Sequence, residues 1–172
     1  MEIRQATKED LNKIIVIENV CFPKAEAAKE SDFKERFSAF KENFIVAVKD
    51  EKIIGFINGC TTDSPKLPDE LYHNSKLHDP NGAFQTVFGL DVLPEYRNQG
   101  VAAQLLNYFI QLSKERGKKG MVLTCKNHLI NYYEKFGFKH QGISASEHGG
   151  ATWNDMVLMF WELTKKSFNV LY

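Results

Sequence analysis

Hydrophobic and polar positions alternate in "EIRQA" (2–6), which predicts a short first strand. The repeat then becomes helical. In "TKEDLNKIIVIENVCF" (7–22), Leu11, Ile14, Ile15 and Glu18 share one face, Thr7 supplies a cap, and Phe22-Pro23 ends the helix. A second helix is predicted over 26–42, with Phe33, Phe37 and Phe40 on one side. "FIVAVKDEKIIGFINGCTT" (44–62) reads as two strands folded around Asp50-Glu51-Lys52. Residues 63–82 hold three of the five prolines and few large apolar side chains. They predict a long loop of the kind that carries function, in which a short helix can begin at Pro68.

The second half repeats strand and helix signals. "AFQTVFGLDV" (83–92) and "GMVLTC" (120–125) read as strands flanking a helix over 99–116. That helix has Val101, Leu105, Phe109 and Leu112 on one face, Lys114 and Arg116 in its last turn, and Gly117 as its stop. "HLINYYEKF" (128–136) predicts another helix ended by Gly137. "FKHQGISAS" (138–146) and "TWNDMVLMFWEL" (152–163) predict two late strands joined around His148-Gly149-Gly150. The order is βααββ–loop–βαβα–ββ. Its strand–helix–strand unit at 83–125 calls for a right-handed crossover with parallel pairing, and the hairpins add antiparallel neighbours. The sheet is expected to be mixed.

Composition narrows the function classes. A chain of 172 residues with 43% hydrophobic residues suits a single domain spanning 1–172. Lys+Arg and Asp+Glu are both 22, so the net charge is zero. Without a basic run, nucleic-acid and anionic-membrane partners are not expected. The longest apolar run, "MVLMFWEL", falls short of the roughly 20 residues that span a bilayer, and the N-terminus has no signal-peptide pattern. Cys21, Cys60 and Cys125 are odd in number and far apart. They read as reduced thiols in a cytoplasmic protein, not as a disulfide frame or a zinc site, and no metal is expected.

The segment "LPEYRNQGVAAQLL" leads from a strand into a helix. The first amides of a helix lack intrahelical acceptors and lie at the positive end of its dipole, so they can hold a phosphate. Gly100 fits such a cradle, and it equally fits a tight turn. No G-x-x-x-x-G-K-[ST] or G-x-G-x-x-G is present.

The run V-x-P-x-x-R-x-x-G-x-A, from Val92 to Ala102, resembles the acyl-CoA signature of the GNAT superfamily of N-acetyltransferases. "YYEKFGF" (132–138) resembles that superfamily's second motif, and the element order matches along almost the whole chain. Within the superfamily, "LTCKNHLINYYEKFGF" and "GGATWNDM" look most like the arylalkylamine (serotonin-type) N-acetyltransferases and their microbial relatives. The resemblance implies an α+β fold: a mixed, mostly antiparallel seven-stranded sheet, a splayed central parallel pair and about four helices. It implies acetyl-CoA as co-substrate and direct transfer to a primary amine of a small molecule. Acetylation of a protein or peptide, or acyl-CoA binding without turnover, are the alternatives. A homodimer through the late strands is plausible for this fold.

The resemblance also implies a site. Backbone groups of Leu90, Asp91 and Val92 would meet the pantetheine arm. The amides from Asn98 through Gln99, Gly100, Val101, Ala102 and Ala103 would hold the pyrophosphate. Arg97 adds charge, and Asn127 is a further coenzyme contact. Tyr133 stands at the family's general-acid position, and a phenol near pKa 10 is protonated at neutral pH; its plain reading is a core aromatic. Thr86 and Phe88 occupy the positions of the serotonin-type paired histidines, and neither takes a proton. The base is therefore sought among His128, His148, His73, His78 and Glu26, or in a water chain. Cys125 as a nucleophile would give a ping-pong route, but no His/Asp arrangement supports it, and it reads as a small core residue. The acceptor pocket is expected around Phe22, Pro23, Glu26, Thr86, Phe88, His148 and Trp153, with the 63–82 loop beside it. Glu26 could attract a cation, or could simply be a carboxylate in a helix's first turn.

Overall fold

The structure, a computed structural model, describes residues 1–161. The alternating N-terminal segment forms β1 (Glu2–Gln5), and α1 (Leu11–Cys21) follows a 3₁₀ turn at Lys8–Asp10. Asp10 anchors this entry. Its carboxylate accepts the Thr7 amide at 2.8 Å and pairs with Arg4 at 2.7 Å, which holds it below the usual carboxylate range. The second helix, α2 (Glu30–Phe40), starts later than predicted. The reason is a start signal three residues apart, in which the Lys29 amide donates to Asp32 at 3.0 Å. Glu26 therefore lies in a turn before the helix, its amide bonded to Pro23, and gains nothing from the helix dipole.

β2 (Phe44–Lys49) and β3 (Lys52–Asn58) form the predicted hairpin, with Asp50 and Glu51 both left-handed at φ 48° and 62°. Two positive φ values in a two-residue loop match the natural strand twist. β4 (Thr61–Thr62) continues from β3, and α3 (Glu70–His73) is the short helix expected near Pro68. Then come β5 (Phe84–Val87), β6 (Gly89–Val92), α4 (Val101–Glu115), β7 (Gly120–Cys125), α5 (Ile130–Glu134), β8 (Lys139–Ile143) and β9 (Asn154–Met159). The two late strands are shorter than predicted, and positions 162 and 163 lie outside the described residues.

The expected seven strands become nine because two of them are interrupted. The strand predicted at 83–92 breaks at Phe88 into β5 and β6, and the later strand of the 44–62 hairpin breaks at 59–60 into β3 and β4. The result is a four-stranded sheet ordered β1-β2-β3-β6 and a five-stranded sheet ordered β4-β5-β7-β9-β8. The β5–β7 pair is parallel, and the other pairs are antiparallel.

Both faces of the central strands are covered, so successive residues feed different layers. Ile45, Ala47, Ile54 and Ile57 pack toward α4 with Leu105, Leu106 and Phe109. Phe44, Val46, Ile53 and Phe56 pack toward α1 and α2 with Ile14, Phe33 and Phe40. The phenylalanine abundance is spent here: Phe33 meets Phe56 edge-on at 5.9 Å, and Phe37 meets Phe44 at 5.2 Å.

The interruption at 59–60 needs glycine. A β-carbon on Gly59 would stand 1.9 Å from the Thr86 carbonyl oxygen, which is backbone and cannot swing away. We expect Gly59→Ala to cost about 3 kcal/mol or more, measured by urea unfolding, with the loss localised to the β4–β5 pair in hydrogen exchange.

Candidate active site

The site begins where a strand changes partners. β5 runs beside β7 until Val87 faces Leu123; after Phe88, β6 pairs with β3 while β7 stays with β9. Between the parted strands and the α1–α2 segment opens a cavity of about 1210 Å³. One edge of β6 is saturated by β3. The Leu93 amide bonds Ile54, and by alternation the backbone groups of Leu90 and Val92 face the other way, into the cleft. The Val92 carbonyl confirms that direction, since it accepts Arg97 Nε at 3.0 Å and Cys21 Sγ at 3.4 Å.

β6 continues through a 3₁₀ turn at Pro94–Tyr96 into the start of α4. Asn98 is left-handed at φ 59° and Gly100 at φ 79°. Left-handed residues close together turn backbone N–H groups into one concavity, a geometry suited to an anion. That concavity opens on the α4 N-terminus, where Val101 starts a fifteen-residue helix. A β-carbon on Gly100 would meet no protein atom within 4 Å. What demands glycine inside the protein is therefore the backbone conformation, not crowding. Arg97, Asn98, Gly100, Val101, Ala102 and Ala103 all border the cavity. Gln99 does not, and its amide side chain caps the Glu95 carbonyl at 3.0 Å.

The far wall is aromatic. Tyr133 is 8% exposed and borders the cavity, and burial pushes its phenol well above the ordinary value. It is thus a neutral proton donor throughout the physiological range. Cys125 also borders the cavity, and burial raises its thiol to about 11. A thiol so raised is a poor nucleophile at neutral pH, which agrees with the core reading.

Of the residues expected around the acceptor, Phe22, Pro23, Glu26, Phe88, His148 and Trp153 all line the cavity. Glu26 pairs with Lys126 at 2.8 Å, and the Lys126 ammonium lies 5.7 Å from the centre of the Trp153 ring. His148 Nε2 bonds the Glu26 carbonyl at 2.7 Å, so that nitrogen carries hydrogen. The His148 ring stacks on Tyr72 at 5.5 Å, and its own carbonyl accepts Trp153 Nε1 at 2.9 Å. Thr86 is not part of this wall. It is fully buried, and its hydroxyl donates to the Cys60 carbonyl at 3.0 Å. Asn127 opens the 3₁₀ turn after β7 and does not border the cavity either. His73 and His128 border it; His78 instead packs on Phe40, accepting the Thr61 amide at Nδ1.

The structure adds groups the sequence reading did not place at the site: Glu18, Arg36, Tyr72 and Lys126. Glu18 on α1 and Asp91 on β6 are 6% and 3% exposed. Burial, and then the charge of Glu18, pushes the Asp91 carboxyl well above the carboxylate range; burial likewise raises Glu18. The two buried carboxyls border the same cavity, and Asp91 Oδ2 has no hydrogen-bond partner among the described residues. The signal for Glu18 was present in the sequence, as a carboxylate on the apolar stripe of α1.

A model of the acetyltransferase (GNAT) family matches residues 11–138, and the chain belongs to that family. Serotonin N-acetyltransferase of Mesocricetus auratus is 31% identical over 106 residues, covering 61% of this chain and 50% of that protein. The chain thus spans about half the length of that relative. An uncharacterized N-acetyltransferase of Archaeoglobus fulgidus is 26% identical over 159 residues, covering 88% of this chain and 98% of that protein. Among solved structures, the loading GNATL domain of CurA from Lyngbya majuscula superposes with a TM-score of 0.80 at 17% identity, covering 94% and 98% of the two chains, and shares the fold.

Because Gly100 is required by its φ, we expect Gly100→Ala to destabilise the protein by about 1 kcal/mol in urea unfolding, with no change in far-ultraviolet dichroism.

Proposed function

We propose that this chain is an acetyl-CoA-dependent N-acetyltransferase that moves an acetyl group directly to a primary amine of a small molecule. The observation that carries this reading is a single continuous cavity. It joins the left-handed cradle at 98–100, the outward backbone edge of Leu90 and Val92, and the Tyr133 phenol. Membership of the acetyltransferase family and the similarity to a serotonin N-acetyltransferase support it.

The residues present fit coenzyme A. The amides from Asn98 to Ala103 would take the pyrophosphate, with Arg97 alongside. The Leu90 and Val92 amides would bond the arm in strand fashion, since the Val92 carbonyl is already taken by Arg97. Acetyl-CoA supplies an activated acyl group, and the protein's part is positioning and proton transfer. The Tyr133 phenol would protonate the departing thiolate. The acceptor would lie along Phe22, Pro23, Phe88, His148 and Trp153. The Glu26 carboxylate, with one oxygen buried and unpaired, would meet its cationic end. Apolar walls with a few converging polar groups are the usual form of a small-molecule site.

The reading is tested by acetyl-CoA consumption with phenethylamine, spermidine, kanamycin and an N-terminally free peptide. Turnover with a small amine and none with the peptide is expected; the reverse replaces the small molecule with a protein acceptor. Coenzyme A at 100 times its Kd should stabilise the fold by about 2.7 kcal/mol, and its failure to do so in a thermal scan removes the reading. Tyr133→Phe should lower kcat about 10²-fold while leaving the KM for acetyl-CoA within a few-fold, read from steady-state kinetics.

A further inference from the structure

Transfer to an amine that arrives as an ammonium ion requires a proton acceptor, and the two positions that match the serotonin-type paired histidines do not supply one. Thr86 is buried away from the cavity, and Phe88 has no basic atom. The cavity wall holds a different group. Asp91 lies between Leu90 and Val92, the two residues whose backbone edge faces the cleft, and Glu18 approaches it from α1. Gly89 keeps the space in front of them open: a β-carbon there would stand 3.2 Å from Asp91 Oδ2 and 3.5 Å from Glu18 Oε2. Glu18 Oε1 is held by the Ala28 amide at 2.9 Å. Asp91 Oδ2 is buried and has no hydrogen-bond partner among the described residues. A second buried polar atom on the same wall is also unpaired: Arg36 Nε, on a residue 5% exposed whose guanidinium lies 4.8 Å from the centre of the Phe88 ring. Unpaired buried donors and acceptors are costly, and those bordering a cavity mark where a polar ligand is met.

We propose that the Asp91–Glu18 pair is the base of the transfer, Asp91 taking a proton from the bound ammonium and Glu18, fixed by the Ala28 amide, holding a second carboxyl beside it. The proposal rests on the acetyltransferase reading above. In its singly protonated form the pair carries one negative charge, which attracts the ammonium. Burial disfavours that charge, so accepting a second proton is favoured. The amine lone pair then attacks the thioester carbon. The C–N bond forms, the C–S bond breaks, and the thiolate takes the Tyr133 phenolic proton. The remaining excess proton on nitrogen returns to Tyr133, and the pair gives its proton to solvent. One ammonium and one thioester become one amide, one thiol and one released proton.

The charged and titratable groups around the pair come from every packed element. They are Arg36 of α2, Arg97 after β6, His148 of the late loop, Cys21 at the end of α1, and Tyr133 of α5. Arg97 favours the ionised Asp91 carboxyl and Arg36 the ionised Glu18 carboxyl, opposing the burial that raises both.

The test has an arm that needs no acceptor. Infrared difference spectra of wild type against Asp91→Asn should show the C=O stretch of a protonated carboxyl at neutral pH, lost on titration to alkaline pH. No such band overturns the proposal. In the kinetic arm, with acetyl-CoA and whichever amine of the screen above turns over fastest, Asp91→Asn should lower kcat/KM at neutral pH about 10²-fold or more. The variant should lose the acid limb of the wild-type pH profile, its rate rising toward the amine's own pKa. Asp91→Glu should recover part of the rate, and Glu18→Gln should displace the limb. If Asp91→Asn fails to gain thermal stability from coenzyme A, Glu18→Gln carries the kinetic arm. An active wild type whose pH profile survives both substitutions overturns this proposal alone. A wild type that binds acetyl-CoA and acetylates no amine overturns the proposed function and this proposal with it.

Discussion

The whole site depends on one strand having two sets of partners. Residues 84–87 are committed to β7 and residues 89–92 to β3, and the two commitments cannot be met by a continuous ladder. The strand yields at Phe88, whose amide bonds Asn58 at 2.7 Å, and β3 yields opposite it at Gly59. Past this point β6 and β7 have different partners, and among the described residues one edge of β6 has no strand neighbour. An unpaired strand edge is ordinarily a liability that proteins cover or charge. Here it faces an enclosed cleft, where it can be completed only by something thin enough to enter.

The same divergence aims the helix that comes next in the chain. Because β6 pairs with β3 and not with β7, the turn after it brings the start of α4 to the border of the cavity. The cradle then needs no lysine and little glycine. Under the proposed function the anion would be met by backbone amides gathered by two left-handed residues, while Arg97 Nε is occupied by the Val92 carbonyl. Such a site is compatible with a chain of zero net charge, because a field made of peptide dipoles is local and needs no surplus of cations.

The period of the apolar residues made most elements legible, since burial on both faces leaves a strong pattern in "FIVAVK" and "GMVLTC". The cradle was legible for a related reason, because a strand, a proline, an arginine and one glycine at fixed spacing leave few local conformations. Interruptions were not. Nothing in "QTVFGLDV" marks Phe88 as a break, because the break is caused by a partner exchange with residues far away in the chain. The start of α2 was misplaced because "EAAKE" has good helix propensity, while the Lys29–Asp32 contact decides the boundary. Asp91 was legible only as a backbone contact, since its partner, Glu18, is more than seventy residues away. Thr86 was assigned to the acceptor by position, but the strand's alternation turns its hydroxyl toward Cys60.

The acceptor side is held together by the segment between α1 and α2. It is pinned in three places: the Ala28 amide to Glu18, the Glu26 carboxylate to Lys126, and the Glu26 carbonyl to His148. These bonds tie it to α1, to the end of β7 and to the loop before β9. A segment with little regular structure would otherwise be free to move, at a cost in entropy whenever a ligand ordered it. The Glu18 contact gives that arrangement a further consequence. The residue that accepts the Ala28 amide is the same residue that stands beside Asp91 at the cavity wall. One of the three pins of the segment and one of the two carboxyls beside the strand edge are thus the same side chain, which couples the position of the segment to the charge at that edge.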